Sequence, residues 1–392
     1  MVKKTIKIYL CLAFLVNLSM SYMAGMYITF LRYHGLDYVG AIVPNIFYFV
    51  TILLFELPTG AIADVFGRKI SFVLSCLIWA LAKVVYFFAD SLWLFITAEI
   101  IAAIGQTCAS GAFEAWLVDS LRYHGYQGKT SAIFAQGIKT KQLATVLGAL
   151  IGTWASKNNI ALPWLMGAIT FFVTAVAAMA FMREEYFVKK SFSFKSGWLE
   201  IVGTIQDSKN WGLNNEHIRF VLASSALLTF ITQGPNMQWQ PFFQGLGANR
   251  LSFGWIFATI SLSLMAGSHY APKVLAKIGD EKRSSVVALT SIGFFVALTA
   301  MAGGQFLWAL PPFLAHEFCR GLFSPIKSQY LNDHARAAER ATINSLESLT
   351  SHLAGAIGLI ISGILAQALS PRWCWLLLGV TLMVASKKLN KK

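Results

Sequence analysis

The chain has 392 residues, 56% of them hydrophobic and only 13% charged. A soluble domain averages about 25% charged residues, so this composition excludes an ordinary soluble fold, which would lack the charge to cover its surface. The net charge of +14 raises nucleic acid as a partner, but the cations gather in alternate short connections. That is the pattern of a membrane chain, not of a basic patch.

Apolar runs near twenty residues recur from end to end, each long enough to cross a hydrocarbon core of about 30 Å. In chain order they predict helices over about 6–32, 38–61, 70–89, 91–120, 130–155, 160–182, 217–246, 251–275, 284–303, 305–331, 340–369 and 372–387. The first follows Lys3, Lys4 and Lys7 and superficially looks like a secretory leader. Its apolar run continues to about Leu31 without a small-residue cleavage site, so it is read as a retained first helix. With the N-terminus placed inside, 23 of the 32 Lys and Arg residues fall on one side of these spans and four on the other. The split predicts twelve transmembrane helices with both termini in the cytoplasm.

The longest connection, 183–216, divides the chain into six-helix bundles at 1–182 and 217–392. Within it Phe194, Trp198, Ile201, Val202 and Ile205 share one helical face, predicting an amphipathic segment on the membrane surface. The halves also resemble each other. With the second shifted by 210 positions, Gly111 meets Gly321, Phe113 meets Phe323, Ile133 meets Ile343 and Gly148 meets Gly358. The predicted fold is therefore an all-α integral membrane protein, two pseudo-symmetric bundles of six helices, an architecture used for substrate sites at the repeat interface. The five cysteines are scattered through apolar segments and predict neither a metal site nor a disulfide framework.

The connection after the second helix reads GAIADVFGRK, Gly60 to Lys69. It resembles the signature loop of the major facilitator superfamily, G-x-x-x-D-x-x-G-R-K/R, matched at Gly60, Asp64, Gly67, Arg68 and Lys69, and KIGDEKR at 277–283 is its degenerate echo. SGAFEAWLVDSL at 110–121 and the stretch 320–349 are similar to a bacterial, twelve-helix branch of that superfamily. The resemblance implies a conformational latch in the loop, with Asp119 as a further partner of its charges. It also departs from drug/proton antiporters. Glu99 and Gln106 stand where those often carry an arginine, and GALIG, Gly148 to Gly152, lacks their proline.

Ionisable groups inside a span are costly and are read as functional candidates facing the interior. Glu114 pairs most simply with Lys139 or Lys141 on the next helix, and Lys327 with Glu347 in the second half, as buried ion pairs. Glu317 and Arg320 lie three residues apart near the middle of the tenth helix and share a face. They suit proton coupling and an anionic substrate group respectively. In the seventh helix Gly234–Pro235 and Pro241 predict a break or kink that frees backbone carbonyls beside Gln233, Asn236, Gln238 and Trp239. Gln106 and Asn17 are further candidates for the cavity wall.

No Walker loop, HExxH or Ser/His/Asp arrangement is present in the sequence, so neither a nucleotide-driven pump nor an enzyme is expected, and no cofactor. The expected activity is secondary active transport by alternating access, proton-coupled export of a drug-like molecule or metabolite. Transport of an organic anion and a non-transporting receptor on the same fold are the alternatives. The expected partners are a small-molecule substrate, protons and the lipid bilayer, with no nucleic acid, for a monomer in a bacterial inner membrane.

Overall fold

Lipid offers the backbone no hydrogen bonds, so a chain this apolar satisfies its peptide groups inside helices. The structure is a computed structural model. It describes residues 1–109, 111–187, 215–335 and 340–389, except for the side chains of 56–64, 340–342 and 345. Every regular element among the described residues is an α-helix. The first half contains α1 (Val2–Ser21), α2 (Tyr27–Tyr33), α3 (Tyr38–Phe66), α4 (Arg68–Phe88), α5 (Leu92–Ala109), α6 (Ala112–Tyr123), α7 (Thr130–Ala155) and α8 (Leu162–Phe181). The second contains α9 (Glu216–Gly245), α10 (Ser252–Ile278), α11 (Glu281–Met301), α12 (Phe306–His334), α13 (Arg340–Ala368) and α14 (Pro371–Leu389). The α1–α2 and α5–α6 pairs are each one interrupted span, so the helices coincide with the twelve spans read from hydropathy. Among the described residues, seven spans are long and apolar enough to cross a membrane on composition alone. Those that fall short are α7, α9, α10, α12 and α14, and three of them carry the candidate charges and amides.

The chain divides into two units. Unit 1 comprises Met1–Leu36, the described part of Val43–Trp198 and Arg250–Ala258. Unit 2 comprises Asp37–Ile42, the described part of Leu199–Asn249 and the described part of Thr259–Lys392. In unit 1, α4 packs on α5 and α8 while α1 packs on α7. In unit 2, α11 packs on α12 and α14 while α9 packs on α13. These are equivalent spans of the two halves, so the weak sequence repeat is matched by a shared internal packing pattern.

Each unit closes around aromatic rings. In unit 1, Phe113 stacks on Tyr9 and Phe72 at centroid distances of 5.0 and 4.4 Å. In unit 2, the fully buried Trp375 stacks on Phe242 at 4.3 Å and on Phe313 at 5.6 Å. Phe172, Val176 and Met179 form an exposed stripe on α8, as expected of a face turned to hydrocarbon. The charged stretch 188–214, including the predicted amphipathic face, lies outside the described residues.

Of the break or kink expected in the seventh span, the break does not form. α9 runs unbroken through Gly234, Pro235 and Pro241. Proline's fixed φ is itself helical, and the helix loses one donor at each proline without having to unwind. The interruptions fall instead in unit 1, at Tyr22–Met26 and beside Gly111, whose φ is +69°. The first is built by close approach. A Cβ on Gly152 of α7 would overlap the carbonyl oxygen of Tyr22, so the GALIG glycines seat α7 against the opened backbone.

Candidate functional site

In unit 2 the tenth span, α12, carries three prolines and still forms a continuous helix. His316, Glu317 and Arg320 project from its middle. Glu317 is 2% exposed and His316 fully buried. Arg320 Nη1 donates to both Glu317 oxygens, at 2.9 and 3.0 Å, and to Asn236 Oδ1 on α9 at 2.9 Å. Among the described residues all its hydrogen bonds leave from that one nitrogen, so Nη2 and Nε have no bond there where the side chain lines a cavity of about 270 Å³. Ser225, Thr229, Ser324, Lys327 and Glu347 also line it. Lys327 Nζ donates to Glu347 Oε1 at 2.7 Å, the pair expected from sequence.

The histidine decides what this cluster can do. Its Nδ1 lies 2.6 Å from the Phe313 carbonyl oxygen. A carbonyl can only accept, which assigns the proton to Nδ1. Neutral His316 therefore turns a bare Nε2 towards Glu317 Oε1, 3.3 Å away and off the hydrogen-bond direction. The ring nitrogen and the carboxylate oxygen thus lie close together in a buried space without a hydrogen bond between them.

The seventh-span residues divide. Asn236 belongs to the cluster. Gln238, expected on a binding surface, is a structural clamp: its Nε2 donates to the Ser362 carbonyl at 2.9 Å and its Oε1 accepts from Trp375 Nε1 at 3.0 Å. Both ends of the amide are engaged and the residue is 2% exposed. Gln233 and Trp239 are buried in the same helix.

In unit 1 the loop after α3 opens α4. Gly67 has φ +93° and precedes the helix. Glu184 accepts from the backbone N–H of Arg68 at 2.8 Å and of Lys69 at 3.0 Å. A carboxylate at a helix N-terminus satisfies orphan donors and meets the positive end of the dipole. A Cβ on Gly67 would sit 2.5 Å from that carboxylate, so the position demands glycine for conformation and for space. The Arg68 guanidinium pairs with Asp119 on α6. Nearby, burial first and the Glu184 and Asp119 charges after it push the Tyr186 phenol up to about 12. The side chains of Gly60 and Asp64 lie outside the described residues.

Of the two lysines offered to Glu114, Lys141 takes it, at 2.9 Å. Lys139, grouped with the buried pairs, is exposed. Two residues along a helix turn the side chain by roughly 200°, towards the opposite face. Asn17 donates to the Ala13 carbonyl of its own helix at 2.9 Å, and Gln106 is half-buried without a hydrogen bond among the described residues.

Lys83 and Glu99 are legible in the sequence as charges within spans, but not as parts of one polar centre in unit 1. Glu99, buried on α5, accepts from Tyr86 at 2.6 Å and Tyr27 at 2.8 Å through one oxygen, and Asn45 donates to the Tyr27 hydroxyl at 2.8 Å. Lys83 is 4% exposed and its Nζ rests 2.8 Å from Met23 Sδ, in the interruption between α1 and α2. These residues come from four spans, so no spacing in the sequence connects them. His316 was legible only as a neighbour of Glu317, and Glu184 only as one of several charges in the long connection.

A sequence profile described as the Major Facilitator Superfamily matches residues 9–237 and 219–386. The chain is 25% identical over 326 residues to an MFS-type transporter, YxaM, of Bacillus subtilis (strain 168), covering 81% of this chain and 77% of that protein. It is 24% identical over 309 residues to the class H tetracycline resistance protein of Pasteurella multocida, covering 76% and 73%. In fold it is similar to the crystal structure of the nucleoside transporter NupG, with a TM-score of 0.82, 12% identity and 99% of each chain covered. It is also similar to a POT family transporter in complex with 5-aminolevulinic acid, with a TM-score of 0.75, 15% identity and 98% and 95% covered.

Proposed function

We propose that this chain, which belongs to the Major Facilitator Superfamily, is a proton-coupled secondary transporter that exports a small drug-like molecule or metabolite by alternating access. The observation that carries the coupling is the arrangement of His316 Nε2, Glu317 Oε1 and Arg320. One proton placed between the histidine and the carboxylate weakens the hold of Glu317 on Arg320. The charge presented to the adjoining cavity then changes with protonation. Export by exchange needs proton and substrate to exclude each other, so the substrate binds while Glu317 is charged and leaves when the proton arrives. The tetracycline-resistance relative supports export as the direction.

Within this reading Gln233, Asn236 and Trp239 belong to the wall of the substrate path. Gly60, Asp64, Gly67, Arg68, Lys69 and Asp119 form the latch, with both termini in the cytoplasm of a bacterial cell and the protein acting as a monomer. A second reading, transport of an organic anion, is favoured by the open Nη2 and Nε of Arg320 beside Lys327. An oxyanion there competes with Glu317 for the guanidinium, so proton and substrate bind together.

The two readings differ in sign. A thermal-shift screen of purified protein against drugs and metabolites at pH 6 and pH 8 separates them. Exchange predicts tighter binding at the higher pH, and anion cotransport tighter binding at the lower. In liposomes with an imposed pH gradient, Glu317→Gln should abolish gradient-driven movement of the ligand found. Unchanged driven flux in that variant removes Glu317 as the coupling group. Binding without flux in the parent protein makes it a receptor.

A further inference from the structure

At one end of unit 2, the first turns of α9 and α11 and the last turn of α14 surround a pocket of about 360 Å³, within the size range of small-ligand sites. Its lining is Glu216, Arg219, Phe220, Ala223, Lys282 and Leu389. The charges around it are unevenly paired. Glu216 faces His217 Nε2 at 3.8 Å, Glu281 accepts from Gln329 at 3.4 Å, and Asp280 caps α11 through the Arg283 N–H. Arg219 and Lys282 have no carboxylate within salt-bridge distance among the described residues. The Lys282 ammonium sits 5.7 Å above the Phe220 ring. Two helix N-termini open towards the same end, each favouring negative charge, and Lys387 and Lys388 close α14 beside it.

Two further features select the kind of anion. The floor is apolar, made by Phe220, Ala223 and Leu389. The helices that supply Lys282 and Leu389 are also lined along their length by exposed apolar side chains: Val287, Phe294 and Leu298 on α11, and Leu377, Val380 and Val384 on α14. A soluble phosphate compound would use the cations and waste the rest. An amphiphile with an anionic head and acyl chains uses both, and basic pockets between transmembrane helices bind such headgroups.

We propose that this pocket binds the phosphate of an anionic phospholipid. Arg219 and Lys282 pair with the phosphate oxygens, and Phe220 and Leu389 pack against the glycerol and the first acyl carbons. The site is separate from the Glu317 cluster, and its test needs neither a substrate nor a proton gradient.

The test is native mass spectrometry of the full chain in detergent, titrated with phosphatidylglycerol or phosphatidylcholine of matched acyl chains. Phosphatidylglycerol should bind about thirty-fold more tightly, from two cations each acting on one anionic headgroup. Arg219→Gln/Lys282→Gln should remove that preference, while Arg219→Lys/Lys282→Arg keeps it and controls for folding. Millimolar inorganic phosphate should leave the lipid bound. Equal binding of the two lipids, an unchanged preference in the glutamine variant, its loss in the charge-conserving one, or displacement of the lipid by phosphate would each overturn the assignment.

Discussion

Replacing Arg320 by methionine keeps an unbranched stem and removes the only Lys or Arg bonded to Glu317 among the described residues. The carboxylate, 3% exposed as a side chain, loses bonds of 2.9 and 3.0 Å, and Asn236 loses its donor. Removing one partner of a buried pair costs about 3–5 kcal/mol, mostly the desolvation of the charge left behind. The opposite deletion is milder. In Glu317→Gln the guanidinium keeps Asn236 and 21% side-chain exposure, so about 1–2 kcal/mol is expected, the worth of a charged hydrogen bond. The double variant buries no net charge there and should lose no more than Glu317→Gln alone. Equilibrium unfolding in detergent, followed by tryptophan fluorescence at fixed pH, measures all three. A coupling energy of about 2 kcal/mol or more is expected. The reasoning is refuted if Arg320→Met is no worse than Glu317→Gln and the two losses simply add.

Four other perturbations follow from the geometry. Gly67→Ala should cost about 2 kcal/mol, from a strained φ and a displaced cap, and should speed hydrogen exchange at the Arg68 and Lys69 amides; unchanged exchange would contradict the Glu184 cap. Lys141→Gln should destabilise by up to about 1 kcal/mol, since its pair is only partly buried, while Lys139→Gln should be neutral; the same unfolding assay ranks them, and the reverse order would be fatal. Gln238→Leu strands the Trp375 Nε1–H, while the Ser362 carbonyl keeps Cys374 Sγ, and about 2 kcal/mol should be lost, seen as a lower denaturant midpoint. Tyr86→Phe removes the shortest donor to Glu99 and should cost about 2 kcal/mol, and Tyr48→Phe, whose hydroxyl makes no such bond, serves as its control.

The spans were legible because length and apolarity are properties of contiguous residues, and the placement of cations fixed their alternation. The pairs Lys327–Glu347 and Glu317–Arg320 were legible for a related reason. The first joins charges that would otherwise be stranded at similar depth, and the second is a spacing along one helix. Choosing Lys141 over Lys139 needed the facing direction of α7, which its polar-rich sequence leaves weakly marked. Whether the prolines would break α9 was not legible, because a sequence reveals a missing donor but not whether the packed surroundings keep the helix running. The bond from Trp375 to Gln238 was not legible, because a buried amide looks alike in sequence whether it meets a ligand or a tryptophan.

The two units meet the cost of buried polarity by different means. In unit 2 the charges are paired on continuous helices, Arg320 with Glu317 and Lys327 with Glu347. Among the described residues, His316 Nε2 beside Glu317 is one of the buried polar atoms there without a hydrogen bond. In unit 1 the backbone itself opens, and Glu99 is held by neutral phenols while Lys83 rests on a thioether. Phenols steady a carboxylate without neutralising it, and a thioether is a weak acceptor for an ammonium. A low-dielectric interior makes such incompletely matched charges the most responsive to any nearby change. The residues of unit 1 that most deserve substitution in a transport assay are therefore Glu99 and Lys83.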